Sequence, residues 1–252
     1  MWILGESNRK SYELSCGTLL LAPHCDDIAF AIGGHLLHCA LPGPVTIATV
    51  FTRSNYTLAH GFRNPADVVT AIRKSEERSF LDSIGAAWID CDLPEGSLRG
   101  YSTLREIFGG VKTHDAMVNQ VDLVFREMLT CKRGGMIGLP VGLGNHVDHL
   151  IVRDLAKIVL EMQDIELFFY EELPYAVRCT EGEIHDVVKM IAPRAIPHLY
   201  DISTVLNEKV QAISNYRSQV GPEELDAVCS YAARLDTNDE AKAFERIWMT
   251  RP

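Results

Sequence analysis

The sequence predicts an α/β protein with a Rossmann-like, mostly parallel, doubly wound sheet and helices on both faces. Three observations carry that expectation. Short β-rich runs alternate with helix-length amphipathic segments, the pattern of βαβ units. The 252 residues, 47% hydrophobic and 23% charged, suit one α/β domain over 1–252. No internal repeat or low-complexity tract interrupts the alternation.

The elements follow in order. "TLLLA" (18–22) is an unbroken apolar run, as a central parallel strand buried on both faces requires. An apolar helical pattern resumes over 27–40, after a titratable turn. "VTIATVF" (45–51) is rich in β-branched residues, and Pro65 precedes an amphipathic helix over 66–84. "AAWIDC" (86–91) is the third strand, with a helix over 115–130 behind it. "GMIGLP" (135–140), "IELFFY" (165–170) and "AIPHLY" (195–200) are further strands, with helices expected over 147–162 and 203–217. In such sheets ligands bind at the carboxyl ends of the strands, so function is sought in 23–27, 52–66, 92–105, 140–149 and 171–180. The loops at 52–66 and 92–114 are long enough to be binding loops or lids.

Composition excludes several classes. No apolar run approaches the roughly 20 residues of a membrane-spanning helix, and "MWILGESNRK" lacks the basic-then-apolar order of a signal peptide, so a cytoplasmic protein without membrane contact is expected. The seven cysteines (16, 25, 39, 91, 131, 179, 229) are scattered without a CxxC pair, which argues against a disulfide framework or cysteine-rich zinc site. A net charge of −10 and no basic block argue against nucleic acid. The expected partner is a small molecule; self-association into a homo-oligomer is left open.

Two of the post-strand loops carry histidine and aspartate at tight spacing: "PHCDD" (23–27) and "GNHVDH" (144–149). His24 and Asp27 lie three apart at a strand-to-helix turn, and His146 and His149 have the same spacing at a helix start. Four groups can thus face one point. Imidazole with carboxylate suits Zn²⁺. The plainer alternative is that Asp26 or Asp27 caps the helix beginning near Ile28, with His24 an incidental turn residue.

The chain resembles the PIG-L/LmbE-like N-deacetylases in "PHCDDIAFAIGG" and "GLGNHVDHLIVRD", and further in "IRKSEERSFLDSIGA", "LPEGSLRGY", "FYEELPYA" and "YRSQ". The resemblance implies a Rossmann-like zinc enzyme that removes an acyl group, typically acetyl, from an N-acylated amino sugar or N-acetylglucosaminyl conjugate. It implies zinc ligation by His24, Asp27 and His149, Asp26 as general base, His146 as oxyanion stabiliser, and Asp148 as the acid orienting that histidine. Cys25 and Ile28 depart from the commoner motif. Some members carry a tyrosine where Gly144 stands here, so an oxyanion tyrosine would have to come from elsewhere or be absent. Cys25, adjacent to a ligand, is expected to stay off the metal.

Arg73 is a candidate substrate contact, with pairing to Glu76 as the plainer alternative; Arg53, Asn55 and Tyr175 are further substrate candidates. Gly33 and Gly34 suit close packing against the sheet. A dinucleotide enzyme is disfavoured because no GxGxxG follows a strand. A purely structural zinc module would not be expected to keep Asp26. An amidohydrolase acting on a non-sugar or glycosylated natural-product intermediate shares the same chemistry and is the alternative carried forward.

Overall fold

The computed structural model describes residues 17–235 and 242–251. Seven strands form one sheet: β1 (Thr18–Ala22), β2 (Val45–Thr49), β3 (Ala87–Asp90), β4 (Met136–Pro140), β5 (Glu166–Tyr170), β6 (Ile196–Asp201) and β7 (Phe244–Met249), in the order β3-β2-β1-β4-β5-β7-β6. The first five are parallel; β7 runs antiparallel to both β5 and β6. All five residues of β1 and of β4 are buried. That is why both read as continuous apolar runs rather than alternating ones.

Nine helices connect the strands: α1 (Asp27–Leu37), α2 (Ala66–Ile84), α3 (Leu104–Ile107), α4 (Met117–Cys131), α5 (Val147–Arg153), α6 (Ala156–Val159), α7 (Glu181–Ile191), α8 (Leu206–Ile213) and α9 (Pro222–Arg234) among the described residues. The predicted strands and the helix over 66–84 are reproduced to within a residue or two. Three expectations need correction. The helix predicted over 147–162 is interrupted between Arg153 and Ala156. The one predicted over 203–217 is confined to 206–213, and α9 follows it. Strand β7 was missed because "FERIWM" breaks the apolar pattern with Glu245 and Arg246, yet both are buried through ion pairs with Lys209 and Glu171.

Strand order sets the site. The chain winds outward from β1 to β3, then returns to place β4 beside β1. The loops leaving the carboxyl ends of β1 and β4 therefore start side by side, at the point where winding reverses. Gly34, in α1, shows how tightly this layer closes: a Cβ there would meet Ile202 Cγ2 at 2.5 Å and Glu245 Oε1 at 2.9 Å. Its backbone N–H donates to Glu245 at 2.7 Å. The predicted close packing is thus against β7 and the residue after β6.

Candidate active site

The turn 23–27 is built by restraint from α2. Asp26 has φ of 110°, a conformation unusual outside glycine. Its backbone N–H donates to Glu77 Oε2 (3.2 Å) and its carboxylate accepts from Arg73 (3.3 Å). Arg73 also donates to the Cys25 carbonyl (3.0 Å), Ser54 Oγ (3.1 Å) and Glu95 (3.3 Å). Residues 73 and 77 lie one turn apart, so both reach the same bend. The helix-cap alternative fails, since Asp26 makes no cap hydrogen bond, and Asp27 Oδ2 accepts from the His24 backbone N–H at 2.7 Å. Cys25 is buried among these groups, which pushes its thiol pKa up.

Three histidines meet beneath this turn: ring nitrogens of His24, His146 and His149 lie within 4.8 Å of one another. Asp27 joins them, with Oδ2 at 3.5 Å from His24 Nδ1 and Oδ1 at 3.4 Å from His149 Nε2. The far side of each of two rings is held by a carboxylate. His24 Nε2 contacts Asp148 Oδ2 at 2.9 Å, and His149 Nδ1 contacts Glu172 Oε1 at 3.1 Å. Nδ1 of His24 and Nε2 of His149 are thereby left facing Asp27. His149 Nε2 is fully buried without any hydrogen-bond partner, an arrangement that an electron-pair acceptor such as a cation would satisfy. His146 differs, because its Nδ1 accepts the Asp148 backbone N–H at 3.2 Å. In the neutral ring the proton then sits on Nε2, which makes His146 a hydrogen-bond donor. The cluster of His24, His146 and His149 with Asp27 beside it fits a divalent metal site.

The electrostatics agree. Burial opposes ionisation of Asp27, but the His149 and His24 charges and the hydrogen bonds from His24 hold its pKa below the usual carboxylate range. Burial also works against a charged His24, yet its hydrogen bonds to Asp148 and Asp27 raise its pKa to about 10. His146 is pushed well below its ordinary value by burial and by the neighbouring His24 charge, so it stays neutral. Burial raises the Asp26 pKa to about 7, with the Arg73 and His24 charges opposing the rise and the Asp27 and Glu77 charges adding to it.

The cluster forms the floor of a cleft of about 310 Å³. Arg73 and Tyr175 are among its lining residues, and Tyr175 packs edge-on against His149 with ring centroids 5.4 Å apart. Phe62, Leu104, Ile107 and Phe108, from the two long loops, supply an apolar wall. Two substrate candidates are not among the lining residues. Arg53 is exposed and forms a β-bridge with Pro94, while Asn55 is used within the loops, donating to Phe62 O and accepting from Ser97. Glu76 does not pair with Arg73; it accepts from Ser218. Asp148 faces His24 rather than His146, and its other partners are the Gly96 N–H (2.9 Å) and Arg99 (2.7 Å). Sequence reasoning missed Glu77, Glu95, Arg99 and Glu172. Their advance signals were position and family likeness: Glu95, Arg99 and Glu172 follow strands, Glu77 lies a helical turn from Arg73, and all four fall in the segments "IRKSEERSFLDSIGA", "LPEGSLRGY" and "FYEELPYA".

Residues 19–160, more than half of the chain, match the model of the PIG-L family, described as GlcNAc-PI de-N-acetylase. The chain belongs to the PIG-L family. Over 220 residues it is 30% identical to a 2'-N-acetylparomamine deacetylase of Streptomyces fradiae, covering 86% of this chain and 78% of that one. Its fold is similar to that of a deacetylase of teicoplanin biosynthesis crystallised with teicoplanin (TM-score 0.71, 20% identity, 92% and 97% of the two chains). It is similar too to the N,N'-diacetylchitobiose deacetylase of Pyrococcus horikoshii (TM-score 0.64, 13% identity, 96% and 86%). This PIG-L protein is accordingly an enzyme of the N-deacetylase type, a hydrolase of N-acetyl amide bonds. Among its described residues no helix is long and apolar enough to cross a membrane.

Proposed function

We propose that this PIG-L enzyme hydrolyses the acetamide of an N-acetylated amino sugar carried on a small glycosidic compound, with zinc as its metal. The observation that carries the reading is the convergence of His24, Asp27 and His149 on one point, with Asp26 beside it and paired to Arg73 instead. Zinc would supply Lewis acidity toward the amide carbonyl and lower the pKa of a bound water. The protein groups supply the remainder. Asp26, outside the ligand set, takes a proton from water and returns it to the departing amine. His146, neutral with its proton on Nε2, donates to the oxygen on which negative charge develops, a contact worth about 3–4 kcal/mol. Asp148 holds the His24 ring, and Arg73 holds the Asp26 carboxylate toward the cleft.

The relative at 30% identity is a deacetylase of 2'-N-acetylparomamine. The apolar wall of Phe62, Leu104, Ile107 and Phe108 leaves room for an attached group, which keeps a glycosylated natural-product intermediate within the proposed class. The test is metal content by mass spectrometry on untagged protein, followed by amine release across N-acetylated sugars and their conjugates. Stoichiometric zinc and release from at least one conjugate are expected. His149→Ala should fold but lose its metal; full zinc retention in that variant would overturn the ligand set.

A further inference from the structure

Glu172 has no role in the chemistry above, yet it is a fully buried carboxylate at the metal cradle. Its partners are two backbone amides and one imidazole. Oε1 accepts the Gly142 N–H at 2.7 Å and contacts His149 Nδ1 at 3.1 Å, and Oε2 accepts the Leu143 N–H at 3.4 Å. Taking a carboxylate out of water is costly, and an apolar side chain would fill the same space without that cost.

We propose that Glu172 is a positioning residue for the metal, fixing the His149 tautomer and holding the loop that carries His146. The idea rests on the metal-site part of the proposed function. The geometry supports one tautomer: a neutral His149 with its proton on Nε2 would set the Nδ1 lone pair against the Glu172 carboxylate at 3.1 Å. With the proton on Nδ1, Glu172 accepts it, and the partnerless Nε2 lone pair faces the point where Asp27 Oδ1 lies 3.4 Å away. The same carboxylate grips the loop after β4 at Gly142, which has φ of 85°. That loop leads within four residues to His146 and then to His149, so one side chain sets the orientation of a ligand and the path of the backbone leading to it. Asp148 stands behind His24 in the equivalent way, giving each metal-facing imidazole a buried carboxylate partner. Glu171, the preceding residue, points elsewhere, to Arg246 and Trp248, as side-by-side residues leaving a strand do.

The test uses Glu172→Gln and Glu172→Ala in the full chain. Zinc affinity is read by competition with a chromophoric chelator, and the His149 tautomer by long-range proton–nitrogen correlation on metal-free protein at a pH where the ring is neutral. Glu172→Ala should bind zinc about 10–100-fold more weakly, and Glu172→Gln, which keeps an acceptor but not the charge, about 10-fold more weakly. Wild type should carry the proton on Nδ1, and Glu172→Ala should shift it toward Nε2. Unchanged zinc affinity in a folded variant, or an Nε2 proton in wild type, would overturn the assignment. Should Glu172→Ala not fold, the zinc affinity of the near-isosteric Gln variant decides the question by itself. Both readouts are independent of turnover: a wild type that binds zinc but releases no amine refutes the deacetylase reading and leaves the role of Glu172 standing.

Discussion

Asp26→Asn separates chemistry from architecture because the structure makes its two costs very different. Asp26 caps nothing, its side chain is 14% exposed, and its ion partner is Arg73 at 3.3 Å. After the substitution Arg73 still has Glu95 at 3.3 Å, Ser54 Oγ and the Cys25 carbonyl, so no buried cation is stranded. The stability loss should therefore stay near the ~1 kcal/mol of a partly exposed pair, rather than the ~3–5 kcal/mol of an uncompensated buried charge. Turnover has no such reserve, since the neighbouring cleft-lining carboxylates Asp148 and Glu95 are tied to His24 and Arg99 and to Ser54 and Arg73. Loss of a general acid–base group lowers the rate by about 10²–10⁴, equivalent to about 3–5 kcal/mol of barrier. The assay is single-turnover release of free amine from an N-acetylglucosamine conjugate at matched metal loading, with urea denaturation run in parallel. Asp26 must be unprotonated to act as base, so wild-type activity should fall as pH drops through its pKa, and that acidic limb should be missing from the variant. Equal rates at equal metal content would remove Asp26 from the mechanism. A rate loss that tracks loss of metal would instead move it into the ligand set.

Two further outcomes test the frame around the site. Glu245 is buried against Lys209 and His35; burial alone would raise its pKa, but the Lys209 charge and the His35 hydrogen bond lower it from 4.5 to about 2. Its contribution of about 3 kcal/mol is fully present above pH 4.5, declines as pH falls toward 2, and should be absent from Glu245→Gln in urea melts between pH 7 and 3. Gly34→Ala should cost about 1–3 kcal/mol by overpacking against Ile202 and Glu245, read as a lower Tm, whereas an unchanged Tm would show that α1 can shift to make room.

The presence of β1 to β6 along the chain, the long α2 helix, and the two histidine–aspartate loops were legible because each rests on short-range stereochemistry. A continuous apolar run marks a strand buried on both faces, and a helical pattern after Pro65 marks α2. His24 with Asp27, and His146 with His149, share a face because residues three apart at a helix start do so regardless of the rest of the fold. Strand β7 was not legible, since a run containing Glu245 and Arg246 becomes strand-like only once Lys209 and Glu171 neutralise them.

The same division runs through the active site. Which residues carry donor atoms could be read from composition and spacing; which donor faces which could not. His24 and Asp148 are 124 positions apart, Arg73 and Asp26 are 47, and Glu172 and His149 are 23. Those pairings exist because β4 packs beside β1 and β5 beside β4, and because α2 crosses behind the first turn. Arg53 and Asn55 show the converse: they follow a strand at the favoured sheet end, yet loop packing spends them on backbone and on Ser97 instead of the cleft. Hydrogen bonds and ion pairs act over a few ångströms, so their partners are chosen by the strand order that brings distant segments together, and local pattern carries no record of that choice.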